Sequence, residues 1–242
     1  MSSVDQQEIE NFSKDSARWW DETGPFKPLH KLNPVRLSFI KNEICTALER
    51  DANNLKPLKG LDIFDIGCGG GLVCEPLARL GANVTGADAD AKATDTAKKH
   101  AAQQGLSIDY QNKPAEEIKK TFDVVLALEI IEHVSNPEEF IASLEKLLKP
   151  GGLLIMSTLN RSPKSYALGI IAAEYILRWV PRGTHSWKEF IRPSELVKMA
   201  TAHNLKAKTI RGLVFNPFKN EFALSKTDLD VNYLVSFSKN ED

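Results

Sequence analysis

The chain has 242 residues, 42% of them hydrophobic and 26% charged, with a formal net charge of −1. That length suits one large domain with a full core, and the near-neutral balance gives no basic field for nucleic acid, so no nucleic-acid partner is expected. Three cysteines, Cys45, Cys68 and Cys74, form no CxxC pair and no cluster with histidine, which points to reduced thiols inside a cell and not to a disulfide framework.

In chain order, residues 5–20 have helical spacing, marked by Ile9, Phe12, Ala17, Trp19 and Trp20. Three prolines and a glycine in "DETGPFKPLHKLNP" break the pattern, and Pro34 is placed to open a helix, "PVRLSFIKNEICTALER". An alternation follows. "LDIFDIG" reads as a buried strand, then glycines and the helical "LVCEPLARLG". "ANVTGAD" is a second strand, with a helix from Ala91 to Gln104 after it. "SIDYQN" is a third strand and "FDVVLAL" a fourth, with the helical "PEEFIASLEKLLKPGG" behind it; "LLIMSTL" is a fifth. Strands alternating with helices predict an α/β fold, Rossmann-like, with a mostly parallel central sheet and helices on both faces. After Asn160 the rhythm changes to the apolar "SYALGIIAAEYILRWV", then "PRGTHSWKEFIRP" and the helix "SELVKMATAHN". The tail has short β-like runs that predict a C-terminal antiparallel hairpin.

The most specific local feature is "DIFDIGCGGGL", where Gly67, Gly69, Gly70 and Gly71 crowd a strand-to-helix turn. Glycine there permits positive φ and lets the backbone approach a ligand. A dinucleotide fingerprint wants a small third residue, but that position holds Leu72. Asp65, two residues before Gly67, would meet a pyrophosphate unfavourably and a cationic ligand well. Asp88 ends the next strand, where a carboxylate can accept two ribose hydroxyls. An NAD-linked oxidoreductase on a similar sheet is therefore the rival that Leu72 and Asp65 speak against. The loop resembles the first motif of S-adenosylmethionine-dependent methyltransferases, where it passes under the ammonium and sulfonium end of the cofactor.

Further stretches narrow the resemblance. "ARWWDETGPFKPLHKLNPVRL", "GCGGGL", "LEIIEHV", "LKPGG", "STLNR", "AEYILRWVPRGTHSWKEFI" and "DVNYLVSFSKN" together resemble the ubiquinone-biosynthesis O-methyltransferase family, nearly end to end. The resemblance implies S-adenosyl-L-methionine as cofactor, held by Arg36, Gly67, Asp88 and Leu128, with Asp65 and Gly69 completing the loop. It also implies a polyprenylated catechol or demethylubiquinol as substrate, methylated at two steps, and a place in a ubiquinone-synthesis complex. Arg36 makes chemical sense against the cofactor carboxylate, since a guanidinium fork binds carboxylates bidentately.

In "EIIEHV", Glu129, Glu132 and His133 have i, i+3, i+4 spacing and share one face if a helix begins at Glu129. Three readings compete: acids favouring a helix N-terminus, His133 as general base for a phenol, and all three as ligands of a divalent cation. The catechol chemistry favours the cation, Mg²⁺ first with Mn²⁺ or Zn²⁺ possible, because a cation on both oxygens lowers the pKa of the attacking one. The family resemblance points the same way. His185 in "RGTHSW" is a second candidate base, and Asn160 could orient a ligand.

A prenylated substrate brings the enzyme to a bilayer. Residues 165–188 suit a membrane surface, with Ile176 and Trp179 near Arg178, Arg182 and Lys188. No apolar run reaches the roughly 18 residues of a spanning helix, and the polar, acid-bearing N-terminus resembles neither a signal nor a transit peptide. The expected place is the cytoplasm, peripheral on a bacterial inner membrane, or the matrix side of a mitochondrial one. The expected organisation is a single domain over 1–242: N-terminal helices over the cofactor site (1–50), a cofactor-binding core (60–160), an apolar insertion (161–192), and a C-terminal helix and hairpin (193–242). Within the same chemistry, a methyltransferase of small catechols and a non-catalytic membrane-associated binding module are the other readings.

Overall fold

The computed structural model describes residues 13, 15–167 and 187–240. Eight strands form one sheet: β1 (Asp62–Ile66), β2 (Asn83–Ala87), β3 (Asp109–Gln111), β4 (Phe122–Leu128), β5 (Leu148–Leu159), β6 (Leu205–Asn216), β7 (Glu221–Ser225) and β8 (Asn232–Lys239). Their order is β3-β2-β1-β4-β5-β8-β6-β7. The first five run parallel, while β8 is antiparallel to both β5 and β6, and β6 to β7. The helices are α1 (Lys27–Ala47), α2 (Cys74–Arg79), α3 (Ala91–Gln103), α4 (Pro137–Lys146) and α5 (Pro193–Ala202).

Neighbouring strand residues serve opposite faces, which is the period of two written into the sheet. Ile63, Val124 and Ile155 belong to the core shared with Phe39, Ile40 and Ile44 of α1, Leu77 of α2, and Ala97 of α3. Phe64, Val125 and Leu154 belong to the core shared with Phe140 and Leu144 of α4 and Leu196 of α5. Because both faces are covered, the central strands read as continuous apolar runs. Each buried Leu, Ile or Phe contributes about 1.5–3 kcal/mol of transfer free energy. The chain turns one way from β1 to β2 and β3 and the other way to β4 and β5. The carboxyl ends of β1 and β4 therefore flank the switch point where such sheets bind ligands.

Several expectations change. The long helix begins at Lys27, with Pro28 in its first turn, and it carries Pro34 inside. Of the expected helical stretch 5–20, residues 5–12 and 14 lie outside the described residues; Ser13 is helical and Ser16–Arg18 is a 3₁₀ turn. β5 starts at Leu148, before the glycines, with a register shift against β4 and Gly151 at φ +71°. The tail does form a β6–β7 hairpin, but β8 slips between β5 and β6. Its buried Tyr233, Leu234, Val235 and Phe237 make it an interior strand.

Candidate active site

The glycine turn starts where β1 ends. Gly67, Gly69 and Gly71 all have positive φ, and a Cβ on Gly67 would lie 2.5 Å from Ile130 Cδ1. The loop spends its N–H groups on the protein. Gly67 and Cys68 donate to the Ala87 carbonyl (2.8 and 3.1 Å), Gly71 to the Cys68 carbonyl (3.0 Å), and Gly69 to Asp88 Oδ2 (2.8 Å). A phosphate cradle needs those donors turned outward. A loop that turns them inward suits a cation better than a pyrophosphate.

The acids around the loop agree. Asp65 is buried, and burial raises its carboxyl to about 6, although Cys74 Sγ donates to Oδ2 at 3.3 Å and Arg36 is near. Asp88 is half-buried; its other oxygen accepts from the Asp90 N–H (2.8 Å). Arg36 is itself buried, its Nη2 donating to Asn33 Oδ1 at 3.0 Å while Asn33 donates to the Leu72 carbonyl at 2.7 Å. Burial presses the guanidinium toward losing its proton, and the carboxylates of Glu129 and Asp65 oppose this. Its Nε has no hydrogen-bond partner. A buried guanidinium whose Nε has no hydrogen-bond partner is a group that a ligand carboxylate would satisfy.

"EIIEHV" is not a helix. Glu129 sits at φ +54°, its N–H bonded to the Ser157 carbonyl (3.0 Å), and Ile131–His133 is a 3₁₀ turn; the helix starts only at Pro137. The shared-face argument for Glu129, Glu132 and His133 therefore fails. Glu129 reaches β8, where Asn232 Nδ2 donates to both of its oxygens at 3.0 Å. Glu132 turns into the sheet. Its Oε2 accepts from Thr158 Oγ1 at 2.8 Å, and its Oε1 is buried with no hydrogen-bond partner. Burial, reinforced by Glu129 and opposed by His133, raises the Glu132 carboxyl to about 7. Among the described residues, no three His, Cys, Asp or Glu side chains are grouped so as to hold a metal ion. The donor types and the orphaned Oε1 fit a cation, but the side chains as placed do not surround one, because Asn232 engages one carboxylate and Thr158 the other.

Leu128 ends β4 and is buried in the same core as Cys68 of the loop. Asn160 is spent on structure, donating to the Leu229 carbonyl at 2.9 Å. His185, Ile176 and Trp179 lie outside the described residues. Sequence reasoning missed Asn232, Thr158 and Asn33; each lay in a stretch already singled out ("DVNYLVSFSKN", "STLNR" and "KLNPVRL"), but nothing local marked its contact.

A methyltransferase-domain family model matches residues 64–156, from within β1, through the glycine loop, into β5. The ubiquinone biosynthesis O-methyltransferase of Bartonella bacilliformis is 50% identical over 237 residues, covering 97% of this chain and 95% of that protein. This chain belongs to the ubiquinone biosynthesis O-methyltransferase family. The Roseobacter denitrificans member is 48% identical over 241 residues, covering 98% of this chain and 97% of its own length. In fold, this O-methyltransferase is similar to the plantazolicin methyltransferase BpumL in complex with SAH, with a TM-score of 0.67 at 17% identity over 97% of this chain and 98% of that one. Family membership makes S-adenosylmethionine its cofactor, and the inward-turned loop donors agree with a cationic ligand. Among the described residues, no helix of this family member is long and apolar enough to cross a membrane.

Proposed function

We propose that this O-methyltransferase transfers the methyl group of S-adenosylmethionine to catechol hydroxyls of polyprenylated ubiquinone precursors, at both O-methylation steps. The observation that carries the site assignment is the loop that spends its donors inward, with Asp65 and Asp88 at its edges and the buried Arg36 Nε left without a hydrogen-bond partner. Arg36 binds the cofactor carboxylate, Asp65 and the backbone around Gly67 and Gly69 face its cationic end, Asp88 takes the ribose hydroxyls, and Leu128 packs beside them. The catechol oxygen attacks the sulfonium methyl in line; the new C–O bond forms as the C–S bond breaks, leaving S-adenosylhomocysteine. The phenolic proton goes to His133, and the Glu129 carboxylate stabilises the imidazolium. His185 is the second candidate for that base.

Glu129, Glu132 and His133 are also the residues that would hold a divalent cation, Mg²⁺ foremost. When bound, it would lower the pKa of the attacking hydroxyl and orient the catechol. Methyl transfer to a short-chain prenyl catechol, before and after EDTA with metal analysis of the treated protein, separates the two versions. Loss restored by Mg²⁺, Mn²⁺ or Zn²⁺ assigns the cation. Full turnover by metal-free protein assigns the base alone, and no turnover under any condition sinks the enzyme reading. Substrates with and without the prenyl tail test for a small-catechol enzyme instead. Residues 165–188 would meet the membrane surface and bring the enzyme to its substrate, with a ubiquinone-synthesis complex as a further partner. Wild-type protein failing to sediment with anionic liposomes would remove the membrane contact.

A further inference from the structure

Outside the residues assigned above, one closed circuit of contacts runs through the cofactor loop. Trp20 Nε1 donates to the Gly70 carbonyl at 2.9 Å. The same indole lies flat on His100 of α3, ring centroids 3.6 Å apart and 10° from parallel. His100 Nδ1 meets Glu75 Oε1 at 2.6 Å, and Glu75, buried at 2% exposure, opens α2 directly behind the loop. The Glu75 N–H returns to the Gly71 carbonyl at 3.1 Å. Two successive loop carbonyls are thus fixed from outside, one by an indole and one by a backbone donor.

This matters because the peptide between Gly70 and Gly71 has no Cβ on either side. Without a Cβ the backbone itself does not choose its orientation, so its hydrogen bonds, the Gly71 N–H to the Cys68 carbonyl and Trp20 Nε1 to the Gly70 carbonyl, do most to set which way the Gly70 carbonyl points. If it turned toward the cofactor side, the backbone there would be re-aimed. Trp19 supports the same edge. Its indole stacks on Phe26 at 3.8 Å and lies so close over Gly69 and Gly70 that a Cβ on either would strike it. His30 Nε2 meets the Trp19 carbonyl at 2.8 Å and ties the segment to α1.

We propose that Trp20, held on the His100–Glu75 platform, is a positioning residue for the cofactor loop. It acts through the backbone, fixing the Gly70–Gly71 peptide in the orientation that binds S-adenosylmethionine. The inference rests on the loop being the cofactor site, as proposed above.

The test reads S-adenosylhomocysteine affinity by calorimetry, KM and kcat for S-adenosylmethionine, and the melting temperature, on full-length protein. Trp20→Phe keeps the stacking face and removes the donor. It should raise Kd and KM about five- to tenfold with kcat within twofold. His100→Ala, which removes the platform, should do the same, and His100→Phe, which restores a flat ring, should recover part of the affinity. Glu75→Gln keeps a bond to His100 and should stay within twofold of wild type. If Trp20→Phe and His100→Ala bind with wild-type affinity and only their melting temperatures fall, the stack is packing alone and the proposal is wrong. If the wild type itself fails to bind S-adenosylhomocysteine, the site assignment falls instead.

Discussion

Glu132 keeps a proton that its unfolded counterpart would lose. Its carboxyl is raised from 4.5 to about 7, chiefly by burial. A raised acid contributes stability that is fully present below the unfolded value and drains away as pH rises through the folded one. Glu132→Gln has nearly the same shape and cannot ionise. It should therefore melt with the wild type near pH 5 and above it at pH 8, by on the order of 2 kcal/mol. Melting curves across that range check this, and a gap that stays constant with pH would count against the assignment. Glu129 poses the complementary problem. Both its oxygens lean on one amide, that of Asn232, whose own Oδ1 is buried with no hydrogen-bond partner. Asn232→Ala should cost roughly tenfold in kcat, equivalent to losing about one charge-assisted hydrogen bond. Asn232→Asp should cost more, since it sets a second carboxylate against the first. Equal activity in all three would mean that Glu129 needs no holding. The types of these site residues were legible in the sequence, because acids and an imidazole at a strand end announce chemistry. Their partners were not, because Asn232 arrives from a strand 103 residues away.

At the scale of elements, the glycine turn shows why local pattern was a good guide. A Gly run directly after an apolar strand needs positive φ, and three of its glycines adopt it. Gly67→Ala would ask an L-residue to sit at φ +72° and push a methyl against Ile130. The backbone strain costs about 1–2 kcal/mol and the overlap about 1–3 more. Gly67→Ala should lower the denaturant midpoint and weaken cofactor binding together. Adding Ile130→Ala should recover the overlap share but not the strain. Full recovery would show that sterics alone decide the position. The same local logic failed at "EIIEHV", where the apolar–acid spacing imitates a helix start. There the Glu129 N–H is claimed by the Ser157 carbonyl, and the chain must pass through left-handed φ before helix resumes at Pro137. It failed again at Pro34, which stands inside a helix whose buried Phe39, Ile40 and Ile44 hold it to the sheet. Packing outweighs a breaker when an amphipathic face is long enough. The placing of β8 between β5 and β6 was out of reach for a related reason. Strand order is decided by which edges meet across long loops, and no local period records it.

Across the whole molecule, the proposed cofactor site has more acid than base buried around it, Asp65 and Glu132 against Arg36, and that sets how binding should respond to pH. Asp65 is raised from 3.8 to about 6, chiefly by burial, with Cys74 and Arg36 pulling it down. Below that value the protein holds a proton where the cofactor is proposed to bring positive charge. A cationic ligand favours the ionised carboxyl, so binding must expel the proton when the pH is low. The affinity for S-adenosylmethionine should therefore climb by up to about tenfold per pH unit below 6 and flatten above 7. Calorimetry at pH 5.5 in buffers of different ionisation enthalpy should register proton release on binding. S-adenosylhomocysteine, which lacks the sulfonium charge, should show a shallower climb. Asp65→Asn should flatten both profiles, and a wild-type affinity that is level from pH 5 to 8 would place the cationic end of the cofactor away from Asp65. The direction of the effect also separates this loop from a nucleotide cradle. An anionic ligand over the same carboxyl would bind better as the pH fell, because it would favour the protonated form.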